Sequence, residues 1–445
     1  MFKRLIPHVG NRGAAVWAAA LWFFVSPSHA NAAEAGASTI NSGDTAWMLV
    51  STALVLFMMI PGLALFYAGL VRSKNVLSIL MQCFALTAIL SLVWLACGYS
   101  LSFSDGNAVF GGWSRCFLNG IGPDSVPRED APGIPVLLHF AYQMMFFLIT
   151  PGLFIGAFAE RMKFRSILLF SIFWSLLVYV PTCYGVWHKA GAFLGLTHVI
   201  DLAGGIVVHI TAGVAALVAC LMVGRREGYP HTQMIPHNLP FTLAGAAMLW
   251  VGWFGFNAGS QYAANGSTAM TLVVTHLSAC SAAVVWMAIE WSRLGKPSAL
   301  GIATGAVAGL AAITPASGKV GPIGALAIGA TSAFVCWLAC AKLKKRFSYD
   351  DSLDVFGVHG VGGFIGVVLV AVFGSKHFAG GLGDFEIGGQ LLIQTQAALY
   401  AVVLSGGVSF VLLKAIGATV GLRVTPDQEN VGLDLSEHGE EGYTG

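Results

Sequence analysis

A chain of 445 residues with 56% hydrophobic and only 10% charged side chains is excluded from the ordinary soluble class, whose domains carry about 25% charge. Mean hydropathy is +0.75, and a net charge of +2 gives no basis for a nucleic-acid partner. Most of the eight cysteines, Cys83, Cys97, Cys220, Cys280, Cys336 and Cys340 among them, lie inside apolar runs and read as small packing residues rather than a disulfide framework.

In chain order, residues 1–30 read as a signal peptide. Lys3, Arg4 and Arg12 precede a short apolar run from Gly13 to Val25, and Ser28-His-Ala30 or Ala30-Asn-Ala32 suits cleavage near 30–32. Hydrophobic runs near the ~20 residues needed to cross a bilayer then predict helices at 45–70, 75–98, 135–158, 166–187, 200–223, 239–259, 267–290, 299–314, 320–341, 355–373 and 396–416. With the mature chain starting outside, the inward connections hold fifteen Lys and Arg residues and the outward ones five. That asymmetry predicts eleven spans with the C-terminus in the cytoplasm. The division is a signal segment 1–30, a membrane domain 31–416 and a polar tail 417–445.

Two stretches organise the membrane domain: Asp201-Leu-Ala-Gly-Gly-Ile-Val-Val-His209 and Asp354-Val-Phe-Gly-Val-His359. Gly205, His209 and Gly213 share a helical face, as do His359 and Gly363, so backbones can approach closely at each histidine. Eight residues of helix would place His209 about 12 Å below Asp201. The two helices run in opposite senses and bring both histidines to the midplane, the pattern of an inverted repeat of helices 1–5 against 6–10. Phe66-Tyr-Ala-Gly69 and Phe256-Asn-Ala-Gly259 echo it in the first helix of each half. A carboxylate at a helix start suits capping, and Asp201 also favours a nearby cation. An intramembrane histidine is costly without a role, and two related by symmetry predict function. His276 is a weaker candidate of the same kind.

Longer motifs then accumulate: Ala157-Phe-Ala-Glu-Arg161, Pro236-His-Asn-Leu-Pro240, Trp250-Val-Gly-Trp-Phe-Gly-Phe-Asn-Ala-Gly-Ser260, and a tail from Val420-Gly-Leu-Arg-Val424 to Ser436-Glu-His-Gly-Glu440. With the two histidine stretches these resemble the ammonium transporter (Amt/MEP/Rh) family in its bacterial Amt type. The resemblance implies an all-α fold of eleven transmembrane helices, an inverted 5+5 repeat plus one, assembled as a homotrimer in the inner membrane with a pore in each subunit. It assigns Phe146 and Phe256 to a stacked gate, and Trp187, Ser260 and Phe146 to an outer ammonium site. Asp201 falls beneath that site, His209 and His359 are the twin pore histidines, and Gln143 is a pore-proximal glutamine. Two positions depart from the pattern: Tyr142 stands where Phe is expected, and His188-Lys189 where glycines are expected.

Ammonium is about as large as potassium but carries four N–H donors and can lose a proton. Cation–π contact at Trp187 and Phe146 is worth about 0.5–2 kcal/mol, while carrying an intact cation through an apolar lining is costly. Deprotonation removes that cost, and neutral imidazoles can relay the proton. No enzyme activity and no cofactor are expected. A trimeric PII-type nitrogen signalling protein is the implied cytosolic partner, meeting the tail, whose acidic residues are expected to dock on loops bearing Arg225, Arg226 and Lys342 to Arg346. An ammonium sensor, an Rh-like ammonia or carbon dioxide channel and a membrane redox enzyme are the alternatives. The short tail after the last helix disfavours the first, the Trp187 and Ser260 matches the second, and the lack of a third metal ligand the last.

Overall fold

The computed structural model describes residues 40–125, 127–188, 196 and 198–443, so the signal segment and Lys189 lie outside the described residues. Among the described residues, ten helices are long and apolar enough to cross a membrane: α1 Ser42–Leu70, α2 Ser73–Phe103, α3 Val136–Phe158, α4 Phe164–Trp187, α5 Gly205–Val223, α6 Leu239–Gly259, α7 Gly266–Leu294, α9 Pro322–Phe347, α10 Phe356–Phe373 and α11 Ile387–Thr419. Between α7 and α9 lies α8, Ala299–Ile313, an apolar helix that is shorter. Every run read from the sequence is present as a helix. The main difference is α11, which begins nine residues earlier than expected at Ile387, through the polar positions Gln390 and Gln394. Both glutamines are buried: Gln394 donates to the Ile200 and Val367 carbonyls, Gln390 to that of His198. Amides that bond the backbone of neighbouring segments extend the helix past the end of its apolar run.

Two pairs of helices five apart in order, α1 with α6 and α5 with α10, pack together. In lipid there is no hydrophobic drive between helices, so close approach relies on small residues. At the α1–α6 crossing a Cβ on Gly245 would stand 2.2 Å from the Phe66 nitrogen, and one on Gly69 would stand 2.5 Å from the Asn238 carbonyl. At the α5–α10 crossing a Cβ on Gly213 would stand 2.2 Å from the Gly360 nitrogen. Larger residues at these glycines would drive the pairs apart. The longest helix, α11, packs on the outside of α5 and α10.

At one end of the bundle, connections and tail form a dense polar layer. Buried Glu160 pairs with Arg72 at 2.9 Å and Arg226 at 3.2 Å, and Arg226 pairs with Asp350 at 2.8 Å. Burial alone would raise the Glu160 carboxyl, but Arg226 and Arg72 hold it below its ordinary range. Arg161 is fully buried and donates to the carbonyls of Ala157, Ala159, Gly224 and Asp350. This explains Ala157-Phe-Ala-Glu-Arg161 as a structural motif that ties three connections together. The tail folds over the same end through a short helix, α12 Pro426–Val431, with a capping box at Thr425 and Gln428. Its docking differs from the charge pairing expected. Glu429 accepts the Glu227 N–H at 2.8 Å and pairs with Arg423 at 2.7 Å, while Asp434 accepts the N–H groups of Leu77 and Ser78. Arg226 is consumed by Glu160 and Asp350, so the tail carboxylates bond backbone amides and the tail's own arginine instead.

Candidate functional site

The site begins where α5 starts. Gly204 is left-handed at φ +111°, and the helix opens at Gly205 with a π-helical turn through Ile210. Asp201 is therefore not part of the helix, and the expected eight residues of helix between it and His209 do not exist. Its carboxylate folds over the open helix end and accepts four N–H groups, from Gly204, Gly205, Ile206 and Val207, at 2.5–3.1 Å. Its backbone carbonyl accepts the Trp187 indole N–H at 2.8 Å. One residue thus fixes both the histidine helix and the orientation of the tryptophan.

The second half repeats this with a different aspartate. The start of α10 is capped by Asp351, which accepts the Phe356 N–H at 2.8 Å, and this helix too opens with a π-helical turn, Phe356–Gly360. Asp354, read from sequence as the counterpart of Asp201, is instead left-handed at φ +59° and pairs with Lys344 at 2.8 Å. The symmetric signal was in the sequence: Asp201 precedes His209 by eight residues, and Asp351 precedes His359 by eight.

Where the two helices cross, a Cβ on Gly363 would stand 2.7 Å from the His209 Cβ, as one on Gly213 would strike Gly360. The absence of side chains lets the imidazoles meet: the rings lie 5.2 Å apart and 17° from parallel. Both are buried, and His209 Nδ1 and Nε2 and His359 Nδ1 have no hydrogen-bond partner within the protein. A buried polar atom without a partner costs about 1–3 kcal/mol. Phe66, Leu153, Val208, Trp253 and Phe256 line the same narrow space. About 10 Å³ there is open to the centre of a water-sized molecule, room for one. Beyond His359 it gives way to a vestibule of about 210 Å³ by the same measure, bordered by Tyr67, Arg226, Ser352 and Asp354.

On the other side of His209 the path is made of rings. His209 stacks 6.1 Å from Phe256, Phe256 lies 4.3 Å from Phe146, and Phe146 meets Trp187 edge to face at 5.7 Å. Phe146 and Phe256 are 1% exposed each, buried between Trp187 and His209. Ser260, just past the end of α6, donates to the Phe256 carbonyl at 2.9 Å and lies 3.2 Å from the Tyr142 hydroxyl. Gln143 donates its amide to Tyr262, whose ring packs on Tyr142 and His139. His188 stacks on Tyr184 at 4.8 Å with its Nε2 3.8 Å from Asp105. Trp187, Phe146, Phe256, His209 and His359 thus form one continuous file, with Ser260 and Asp201 anchored beside it. His276 is elsewhere, on an exposed helix face beside Trp250 and Cys280. Among the described residues, no group of three or more His, Cys, Asp or Glu side chains is placed to hold a metal ion.

The bundle of apolar helices thus holds a file of rings from Trp187 to His359, with a narrow cavity at the histidines and a vestibule beyond it. Comparison with known proteins gives the family. The sequence profile described as Ammonium Transporter Family matches residues 46–443. The chain is 43% identical over 413 residues to the ammonium transporter of Aquifex aeolicus, covering 92% of this chain and 96% of that one. It is also 43% identical over 406 residues to that of Bacillus subtilis, covering 90% and 98%. Among solved structures it superposes on a chain described as Sensor Amt Protein with TM-score 0.81 at 28% identity, covering 89% of this chain and 98% of that one. The Saccharomyces cerevisiae Mep2 structure gives TM-score 0.80 at 30% identity, covering 88% and 89%. The chain belongs to the ammonium transporter family and is a multi-pass, all-helical membrane protein.

Proposed function

We propose that the chain moves ammonium nitrogen across the inner membrane by collecting the ammonium ion at Trp187, Phe146 and Ser260, stripping a proton from it, and passing ammonia between Phe146 and Phe256 to His209 and His359. The carrying observation is the unbroken file of rings from Trp187 to His359, ending on buried imidazole nitrogens that have no partner in the protein. An aromatic face holds a cation, an apolar constriction rejects one, and an unpaired imidazole nitrogen accepts from or donates to ammonia. Asp201 holds the field and geometry at the mouth. The stacked imidazoles relay the released proton, so that transport is electrogenic. The basic bias of the connections supports a tail end in the cytoplasm and a Trp187 end outside, with residues 1–30 removed as a signal peptide. The working unit is a homotrimer, and a PII-type signalling protein meets its cytoplasmic face beside the tail. The likeness to a chain described as Sensor Amt Protein favours one second reading, an ammonium-sensing role alongside transport.

The test is the ammonium-evoked current of the purified protein in proteoliposomes, with potassium as control. Wild type is expected to respond to ammonium and not to potassium. His209→Ala and His359→Ala are expected to assemble normally and lose the current or its selectivity. Wild-type rates and selectivity in both variants would make the histidines structural. Trp187→Leu is expected to raise the half-saturating ammonium concentration by about two- to thirtyfold, the range that cation–π energies convert to.

A further inference from the structure

The position that departs from the family pattern at the outer mouth, Tyr142, is built into the site in a way that phenylalanine could not be. Its hydroxyl lies 2.9 Å from the Gly255 carbonyl, 2.9 Å from the Phe256 carbonyl and 3.2 Å from Ser260 Oγ. Room for it is made by Gly259, where a Cβ would stand 2.6 Å from the tyrosyl oxygen. The ring is fully buried, packs 5.1 Å from Phe146 and edge-on to Tyr262 at 5.7 Å, so the hydroxyl cannot swing away.

Counting protons shows what this does. Two hydroxyls face two carbonyls, and a hydroxyl has one proton to give. Ser260 donates to Phe256, four residues back on its own helix. Tyr142 has both the Gly255 and the Phe256 carbonyl within reach. With both protons given to carbonyls, the Ser260 oxygen has only lone pairs left to offer. Remove the tyrosyl oxygen and the serine proton loses one of its two inward acceptors, leaving the Phe256 carbonyl alone to hold it away from the mouth. A donor there opposes an ammonium ion, which has only donors itself.

We propose that Tyr142 is a positioning residue for ammonium recruitment: its hydroxyl, anchored on the Gly255 and Phe256 carbonyls, locks Ser260 Oγ as a hydrogen-bond acceptor for the incoming ion. This rests on reading Trp187 and Ser260 as the recruitment site. The tyrosine acts through the serine, not on the conducting path, so its removal weakens capture and spares turnover.

The experiment is a double-mutant cycle of Tyr142→Phe and Ser260→Ala in proteoliposomes, reading half-saturating ammonium concentration and maximal current separately. Tyr142→Phe is expected to raise the half-saturating concentration about fivefold, the worth of one neutral hydrogen bond of about 1 kcal/mol, with maximal current retained. In the Ser260→Ala background the same substitution is expected to change neither quantity. A wild-type half-saturating concentration in Tyr142→Phe overturns the proposal, and so does an equal shift in both backgrounds, which would mark a packing effect independent of the serine. If Ser260→Ala itself leaves capture unchanged, the recruitment reading falls and this proposal with it. Ser260→Ala shifting while Tyr142→Phe does not overturns this proposal alone.

Discussion

Asp201 shows how much one side chain can hold. Each carboxylate oxygen accepts two backbone N–H groups, Oδ1 from Gly204 and Gly205 and Oδ2 from Ile206 and Val207. Asp201→Asn keeps the shape but presents an NH2 group to two donors, and is expected to lower stability by about 1–3 kcal/mol, measurable as a lowered denaturation midpoint of the solubilised protein. Burial pushes this carboxyl up from 3.8 to about 6, against the opposing pull of the four N–H groups. The folded protein then binds the proton more tightly than the unfolded chain between those two values. That contribution is complete below pH 3.8 and is lost as the pH rises through about 6. The stability advantage of wild type over Asp201→Asn, which cannot titrate, is therefore expected to shrink as pH rises across this window and to level off above it. An advantage that grew with pH across the window would mean that the N–H groups, not burial, set the carboxyl.

At the scale of elements, α5 and α10 are held by what they lack. Gly213→Val adds atoms where even a Cβ would stand 2.2 Å from the Gly360 nitrogen. It is expected to part the histidine helices and abolish conduction, or to prevent assembly outright, whereas Gly407→Ala on α11, with open space around it, is expected to do neither. The caps of the two halves separate in the same way. Asp351→Ala is expected to cost about 1–2 kcal/mol as a lost cap. Asp354→Gly loses a partly exposed ion pair worth about 0–1 kcal/mol but relieves a left-handed residue, so its denaturation midpoint is expected to stay near wild type. This pair also marks what the sequence made legible. Eleven apolar runs, two histidines at equivalent depth and the nearness of Phe146 to Phe256 are legible, because hydropathy, symmetry and long motifs carry them. Nearness to His359 favours Asp354, whereas the constant eight-residue spacing points to Asp351. Hydropathy alone carries the helix back to Asp201, because nothing local marks where Gly204 turns left-handed. The Trp187 indole bond to the Asp201 carbonyl and the Tyr142 anchorage on Gly255 and Phe256 join segments 14 and more than 110 residues apart, and no local pattern encodes such pairs.

For the whole molecule, the tail is the part whose placement changes most in meaning once its bonds are seen. It spans three connections at one end of the bundle: Asn75 accepts the Leu433 N–H, Asp434 caps the start of α2, Glu437 accepts the Phe164 N–H at the start of α4, and Glu429 holds Glu227 beyond α5. The last of these adjoins Arg226, which borders the vestibule below His359. A tail tied this way is fixed one residue from the lining of the vestibule, where a solvated tail would not be. Glu429 is fully buried, so Glu429→Ala leaves the Glu227 N–H without its partner and Arg423 with only the Glu227 carboxylate at 3.7 Å, and is expected to cost about 1–3 kcal/mol. Glu440 and Glu441 are exposed, and replacing both with Ala is the matched control for lost charge. Limited proteolysis of the solubilised protein is expected to remove the tail faster from Glu429→Ala and Asp434→Ala than from wild type, with the control indistinguishable from wild type. Current measured on the same four proteins separates brace from regulator. A change in Glu429→Ala and Asp434→Ala alone ties the tail to the passage, whereas faster cleavage with unaltered current leaves it a brace that any regulatory partner must engage by another route.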